Sequence, residues 1–442
     1  MSLFFFTQNR KNEKRLTYAE RYLNKMFLLC LLFFGAIAAG MTEVSAYQQP
    51  VPTHVRQILV PDQKGISPEC LSDGQEVQLL PTASEPDSLQ AKYALLMDAE
   101  NRRVLFEKNG YTEVPMASTT KIMTLLVALE HASPDEVVTV SAYAASMPEV
   151  HLGMKKGEQY RLCDLYYSLM LESHNDTAVA IAEHVGGSVD GFADLMNEKA
   201  AEIGAVHTHF VTPNGLDAEG HYTTAYDLAL IASCALENEA FQEIIQTPAY
   251  SFQELNGKRS VSVVNKDLFL TSYEGALGIK TGFTGKAGYC FVGAARRGEK
   301  KFVSVVLASG WPPHKAYKWK DTTRLMDYGM NNYEPRQILK KHTVFQAVPV
   351  TDSIEQEAVP SYAEDEVTLL LREGEEVTTE AELPDKLQAP VRKHDQIGTL
   401  TVRIDGEIYR SLPLYAEEDR RRITFGYVLG QIIRRFIPST CS

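Results

Sequence analysis

The run Lys121-Ile122-Met123-Thr124-Leu125-Leu126-Val127-Ala128-Leu129 constrains this chain more than any other stretch. It holds no helix breaker, and its apolar residues cover nearly the whole circumference of a helix. Such a helix must lie in a core, with other elements wrapped about it. Ahead of it stands Pro115-Met116-Ala117-Ser118-Thr119-Thr120, so Ser118 and Lys121 fall three residues apart where the buried helix begins. That spacing brings two side chains to one helix face. Burial disfavours the ammonium form of lysine and makes the amine a base. A neutral amine there takes the hydroxyl proton and leaves the serine oxygen a nucleophile. Unpaired N–H groups at a helix start hold a developing oxyanion. Taken alone, the pair also fits a plain helix whose serine caps and whose lysine snorkels to solvent.

At 442 residues the chain exceeds one ordinary domain, and two domains with appendages are expected. A formal net charge of -13 argues against general nucleic-acid binding. The cysteines Cys30, Cys70, Cys163, Cys234, Cys290 and Cys441 form no CxxC or Cys/His cluster, and no disulfide framework is inferred. His184, His207 and His209 lack acidic or cysteine partners at ligand spacing and are assigned to surface or core. No metal and no cofactor are expected.

Residues 1–46 read as a secretory leader. Arg10, Lys11, Lys14, Arg15, Arg21 and Lys25 precede the apolar run Met26 to Met41, which ends near Val44-Ser45-Ala46. Cleavage is favoured over an uncleaved anchor because the run is short for a span, and either puts the rest outside the cytoplasm. Residues 47–88 form a poorly ordered lead-in. Tyr93 to Met97 and Arg103 to Phe106 then flank a polar turn, a hairpin signal. Helical spacing follows over Tyr160–Leu171, Thr177–His184, Asp190–Ile203 and Thr224–Leu236, with Thr223 or Thr224 as cap. Strand signals return at Ser260–Val264, Tyr289–Gly293 and Phe302–Leu307, before a helix near Ala316–Tyr328. Strands enclosing a helical middle predict an α/β sandwich over 89–335, its antiparallel sheet built from both ends.

Over 336–416 short strand-like runs predict a small all-β domain. Asp405-Gly406 between Thr399–Ile404 and Glu407–Tyr409 is a hairpin signal. In the tail, 417–442, Arg420-Arg421-Arg422 precede Ile423, Phe425, Tyr427, Val428, Leu429, Ile432 and Ile433, then Arg434-Arg435. This reads as an amphipathic helix lying on a membrane surface, though Gly426 and Gly430 weaken the helix, and docking on the protein itself is the alternative.

Two further pieces join Ser118 and Lys121: Ser173-His174-Asn175 after the apolar stretch Leu165–Leu171, and Lys280-Thr281-Gly282 between strand-like segments. S-x-x-K, S-x-N and K-T-G in that order mark penicillin-interacting serine enzymes. With Thr212-Pro213-Asn214-Gly215-Leu216-Asp217, His221 to Leu228, and Gly288-Tyr289-Cys290, the chain resembles the low-molecular-weight penicillin-binding proteins, serine-type D-alanyl-D-alanine carboxypeptidases, over roughly residues 88–437. His174 departs from the small residue usual there. The resemblance implies a serine β-lactamase/transpeptidase-like α/β (α+β) domain, then the β domain and amphipathic tail. It implies an exported enzyme at the outer face of the cytoplasmic membrane, acting on peptidoglycan pentapeptide and inhibited by β-lactam antibiotics. Ser118 would attack the D-Ala-D-Ala carbonyl with Lys121 as base, and Ser173 would relay a proton to the leaving amine. Asn175 would orient the peptide or Lys121, and Lys280 and Thr281 would receive the terminal carboxylate. The backbone N–H groups of Ser118 and Phe283 would form the oxyanion hole. A β-lactamase would add a glutamate motif between Asn175 and Lys280, and none stands out. A non-catalytic wall-binding relative would have lost Ser118, Lys121 or Lys280. Endopeptidase and transpeptidase activities would use the same residues and stay open.

Overall fold

The structure, a computed structural model, describes residues 54–59, 86 and 88–436. The leader lies outside the described residues, as do Cys30, Cys70 and Cys441.

One antiparallel five-stranded sheet organises the first part. Its strands are β1 (Tyr93–Asp98), β2 (Val104–Lys108), β3 (Ala276–Thr284), β4 (Gly288–Arg297) and β5 (Lys300–Leu307), in the order β2-β1-β5-β4-β3. The two chain ends meet where β1 pairs with β5, Met97 opposite Val303. Ala94-Leu95-Leu96-Met97 is apolar without alternation because both faces are covered. Leu95 and Met97 point into the core beneath the helices. Ala94 and Leu96 point into a second cluster with Phe291, Phe302, Leu325 and Met326.

The helices are α1 (Lys121–His131), α2 (Leu162–Leu171), α3 (Asn175–Gly186), α4 (Val189–Ile203), α5 (Ala225–Ala235), α6 (Glu239–Gln246) and α7 (Tyr317–Asn332). Helix α1 is buried from Lys121 through Ala128, as its all-round apolar surface requires. Helix α7 covers the far face of the sheet through Leu325 and Met326. Thr224 caps α5, its hydroxyl accepting from Asp227 N at 3.0 Å.

Several local expectations shift. Ser118 lies in a 3-10 turn, Ala117–Thr120, and the α-helix begins only at Lys121. Tyr160 belongs to a short strand, Gln159–Arg161, paired with Val137–Thr139, so α2 starts two residues later, at Leu162. Its buried ring mimicked helical spacing. Lys280-Thr281-Gly282 lies inside β3 rather than between strands. Helix α6 and the strand Val359–Ala363 escaped detection because each is short.

The second part holds a six-stranded antiparallel sheet ordered His54–Leu59, Val377–Pro384, Gln396–Ile404, Glu407–Ala416, Val359–Ala363, Thr343–Val348. Its first strand comes from the 47–88 lead-in, lying against Val377–Pro384. Asp405 and Gly406 both take positive φ, as a two-residue hairpin turn requires, and Ile404 pairs with Glu407. The parts are tied together. Arg103 donates to Leu370 O at 2.7 Å and pairs with Glu375, Asn101 Nδ2 donates to Thr368 O at 2.9 Å, and Leu370 joins the cluster under α7. A final helix, α8 (Phe425–Phe436), carries exposed Phe425, Val428, Leu429, Ile432 and Ile433. Among the described residues no helix is long and apolar enough to cross a membrane.

Candidate active site

The 3-10 turn aligns the Ser118 hydroxyl with the Lys121 amine. Residues three apart eclipse in such a turn, so Ser118 stands directly over Lys121. Lys121 Nζ is 3.0 Å from Ser118 Oγ, 2.9 Å from Asn175 Oδ1 and 2.7 Å from Asn214 O. A neutral amine has two hydrogens and one lone pair. Two acceptors take the hydrogens, and the lone pair is left for the serine hydroxyl. Burial pushes this amine well below the ordinary lysine value, and the charge of Lys280 pushes the same way.

Close approach of three backbones builds the site. A Cβ on Gly282 would come within 3.0 Å of Ser118 N, so glycine lets β3 lie against the serine turn without either backbone giving way. At Gly215, where φ is +81°, a Cβ would meet Ala117 O at 2.0 Å. Strand β3 is the sheet edge, so one side of its backbone is open to an added strand.

Asn175 opens α3, and its Nδ2 donates to Pro148 O at 3.2 Å. Ser173 sits just before, with φ at +67°, and its buried Oγ has no hydrogen-bond partner among the described residues. A strained backbone carrying an orphaned hydroxyl is the pattern of a functional group awaiting a ligand. His174 is buried beside it, its Nδ1 2.9 Å from Ser168 Oγ. Desolvation holds it below the usual histidine value, so it packs as a neutral ring. Ser118, Ser173, Asn175, Thr281 and Phe283 line one cleft of about 500 Å³, with Glu149, Glu172, Lys266 and Lys318 on its walls. Lys280 lies buried next to it, its Nζ donating to Thr281 O at 3.2 Å.

The comparisons with known proteins place the chain in a family. The family model described as D-alanyl-D-alanine carboxypeptidase matches residues 80–310. The chain belongs to the D-alanyl-D-alanine carboxypeptidase family. A second model, the penicillin-binding protein 5 C-terminal domain, matches residues 333–422. The carboxypeptidase DacF of Bacillus subtilis is 31% identical over 76% of this chain and 87% of its own length. DacA of Escherichia coli is 29% identical over 78% of this chain and 86% of its own. The crystal structure of penicillin-binding protein 5 from Haemophilus influenzae superposes with a TM-score of 0.67 at 26% identity, covering 77% of this chain and all, 100%, of that one.

Some residues of this family member's site escaped the residue-by-residue reading. Asn214 supplies its backbone carbonyl to Lys121, a role invisible in side-chain chemistry. Asp176 gathers the N–H groups of Leu152, Gly153 and Met154 at 2.8–3.0 Å and so fixes the loop bearing Glu149 and Val150. Thr284 donates to Asp217 at 2.9 Å, joining β3 to the Asn214-Gly215 loop. The Asn-Gly pair was the one local signal, marking a turn with positive φ.

Proposed function

We propose that Ser118 is the nucleophile of a serine-type D-Ala-D-Ala carboxypeptidase that trims peptidoglycan stem peptides. Its Oγ attacks the carbonyl carbon between the two terminal D-alanines and passes its proton to Lys121 Nζ. The tetrahedral oxyanion is held by the N–H groups of Ser118 and Phe283. The C–N bond breaks, the amine leaves with a proton relayed through Ser173, and D-alanine departs. Water then hydrolyses the Ser118 ester. Asn175 holds Lys121 in place, while Lys280 and Thr281 receive the terminal carboxylate. The peptide backbone pairs along the open edge of β3. A β-lactam presents the same carbonyl and carboxylate and acylates the same oxygen.

The observation that carries this reading is the surroundings of Lys121, two acceptors and one hydroxyl about a buried amine. The test is mass spectrometry of penicillin-treated protein. A single adduct is expected on the peptide containing Ser118 and none in Ser118→Ala; an adduct persisting in the variant refutes the assignment. Release of D-alanine from a pentapeptide then separates carboxypeptidase from endopeptidase and transpeptidase action. The reading places the enzyme outside the cytoplasm, held at the membrane surface by α8, whose exposed apolar residues stand beside Arg434 and Arg435.

A further inference from the structure

Ser173 takes a φ of +67°, a left-handed conformation that a residue with a side chain adopts only when its surroundings impose it. Its own hydroxyl imposes nothing, since it has no hydrogen-bond partner among the described residues. The neighbours in the chain are Glu172 and His174, and both are anchored.

His174 is 5% exposed. Its Nδ1 lies 2.9 Å from Ser168 Oγ on α2, and Ser168 Oγ lies 2.9 Å from Thr177 Oγ1 in the first turn of α3. The ring is therefore tied to the end of one helix and the start of the next. On its other side Nε2 faces Glu172 Oε2 at 3.4 Å. That carboxylate favours the N–H on Nε2, which leaves Nδ1 to accept from the Ser168 hydroxyl, and Ser168 to accept from Thr177. Glu172 is fixed in turn. Its Oε1 accepts from Lys266 Nζ at 2.9 Å and from Val264 N at 3.2 Å, while Lys266 N donates to Leu171 O at 3.1 Å. The series Lys266, Glu172, His174, Ser168, Thr177 thus brackets Ser173, joining the strand Ser260–Val264 to α3. Just beyond, Asn175 N donates to Val150 O at 2.8 Å.

We propose that His174 is a positioning residue for departure of the amine: locked between Ser168 and Glu172, its ring holds the Ser173 backbone in the left-handed turn that keeps the serine hydroxyl unpaired at the cleft wall. This rests on the function proposed above and deepens it. In that reaction the C–N bond breaks as the nitrogen gains the proton that Ser118 gave to Lys121, passed on through Ser173 Oγ. A hydroxyl relays a proton only within hydrogen-bond reach of both groups, so a turn free to relax loses the relay. An alanine at position 174 would make none of the ring's contacts.

The test uses the full chain and two substrates that share one acyl part. One is a D-Ala-D-Ala peptide, whose amine must leave protonated. The other is the matching thioester with a terminal carboxylate, whose thiolate leaves without a proton. The quantity measured is kcat/KM, which reports the steps through acylation. His174→Ala is expected to lose about tenfold on the peptide and less than about twofold on the thioester. Ser173→Ala gives the same split, and adding His174→Ala to it costs no further activity on the peptide. His174→Asn, whose side-chain carbonyl can accept from Ser168 as Nδ1 does, recovers most of the peptide rate. Equal losses on both substrates, or a double variant whose losses multiply, would overturn the inference. Should His174→Ala not fold, Ser168→Ala cuts the ring's tie to α2 and reads the same split. A wild type that neither releases D-alanine nor takes up penicillin would refute the functional reading instead. An active wild type matched by its His174 and Ser168 variants refutes this inference alone.

Discussion

At the scale of single residues, the site depends on backbones that no side chain can separate. Gly282→Ala places a methyl 3.0 Å from Ser118 N and 3.1 Å from Ala117 Cβ, so β3 must retreat from the serine turn. The shift needed is a few tenths of an ångström, where a full 1 Å misplacement would cost about 10²-fold in rate. Acylation by a chromogenic cephalosporin should fall, by less than that, while the thermal midpoint moves little. His221 gives a stability prediction. Its Nδ1 accepts from Val211 N at 3.1 Å and its Nε2 is 2.9 Å from Thr120 Oγ1, so it lies neutral beneath the serine turn. Burial lowers its pKa to about 4. The unfolded chain takes up this proton below about 6.5, but the native state does not until about 4. Stability is therefore full above pH 6.5 and lost as pH falls toward 4, by on the order of 2–3 kcal/mol from this group. Denaturant melts of wild type and His221→Gln across that window should show a shallower slope in the variant.

At the scale of elements, Asp176 joins the start of α3 to the far wall of the cleft. Besides the three loop N–H groups, it accepts from Thr177 N at 2.9 Å. Asp176→Ala strands several buried donors, each worth about 1–3 kcal/mol if left unsatisfied. Hydrogen exchange at Leu152, Gly153 and Met154 should accelerate, and KM should rise more than kcat falls; unchanged protection there would show that the loop is held by something else. Edge strand β3 follows the same logic. Its outer side is free because the sheet ends there, and that freedom leaves room for a peptide backbone.

At the scale of the whole molecule, the appended sheet and α8 lie apart from the chemistry. Deleting residues 423–442 should leave D-alanine release from soluble pentapeptide unchanged and abolish sedimentation with anionic phosphatidylglycerol vesicles. Persistent sedimentation would move the membrane contact elsewhere. The join between the parts includes part-buried polar contacts: Arg103 satisfies Leu370 O and Glu375 together, and Tyr409 OH donates to Asn101 O at 3.0 Å. Arg103→Ala should therefore lower the thermal midpoint, since it leaves the largely buried Glu375 carboxylate without its cation.

Local chemistry by itself determined a good deal here. The all-round apolar run dictated a buried helix, because no surface accommodates it, and the spacing of Ser118 to Lys121 survives whether the turn is α or 3-10. Asp405-Gly406 determined its hairpin because few residue pairs accept two positive φ values. What only the tertiary structure decided is what comes from far along the chain. The carbonyl of Asn214, the closeness of Gly282 to Ser118 and the insertion of Lys280 into an edge strand all depend on how β1 and β5 bring the two chain ends together. A backbone carbonyl looks the same at every position in a sequence, and a buried charge acquires its character only from neighbours that folding supplies.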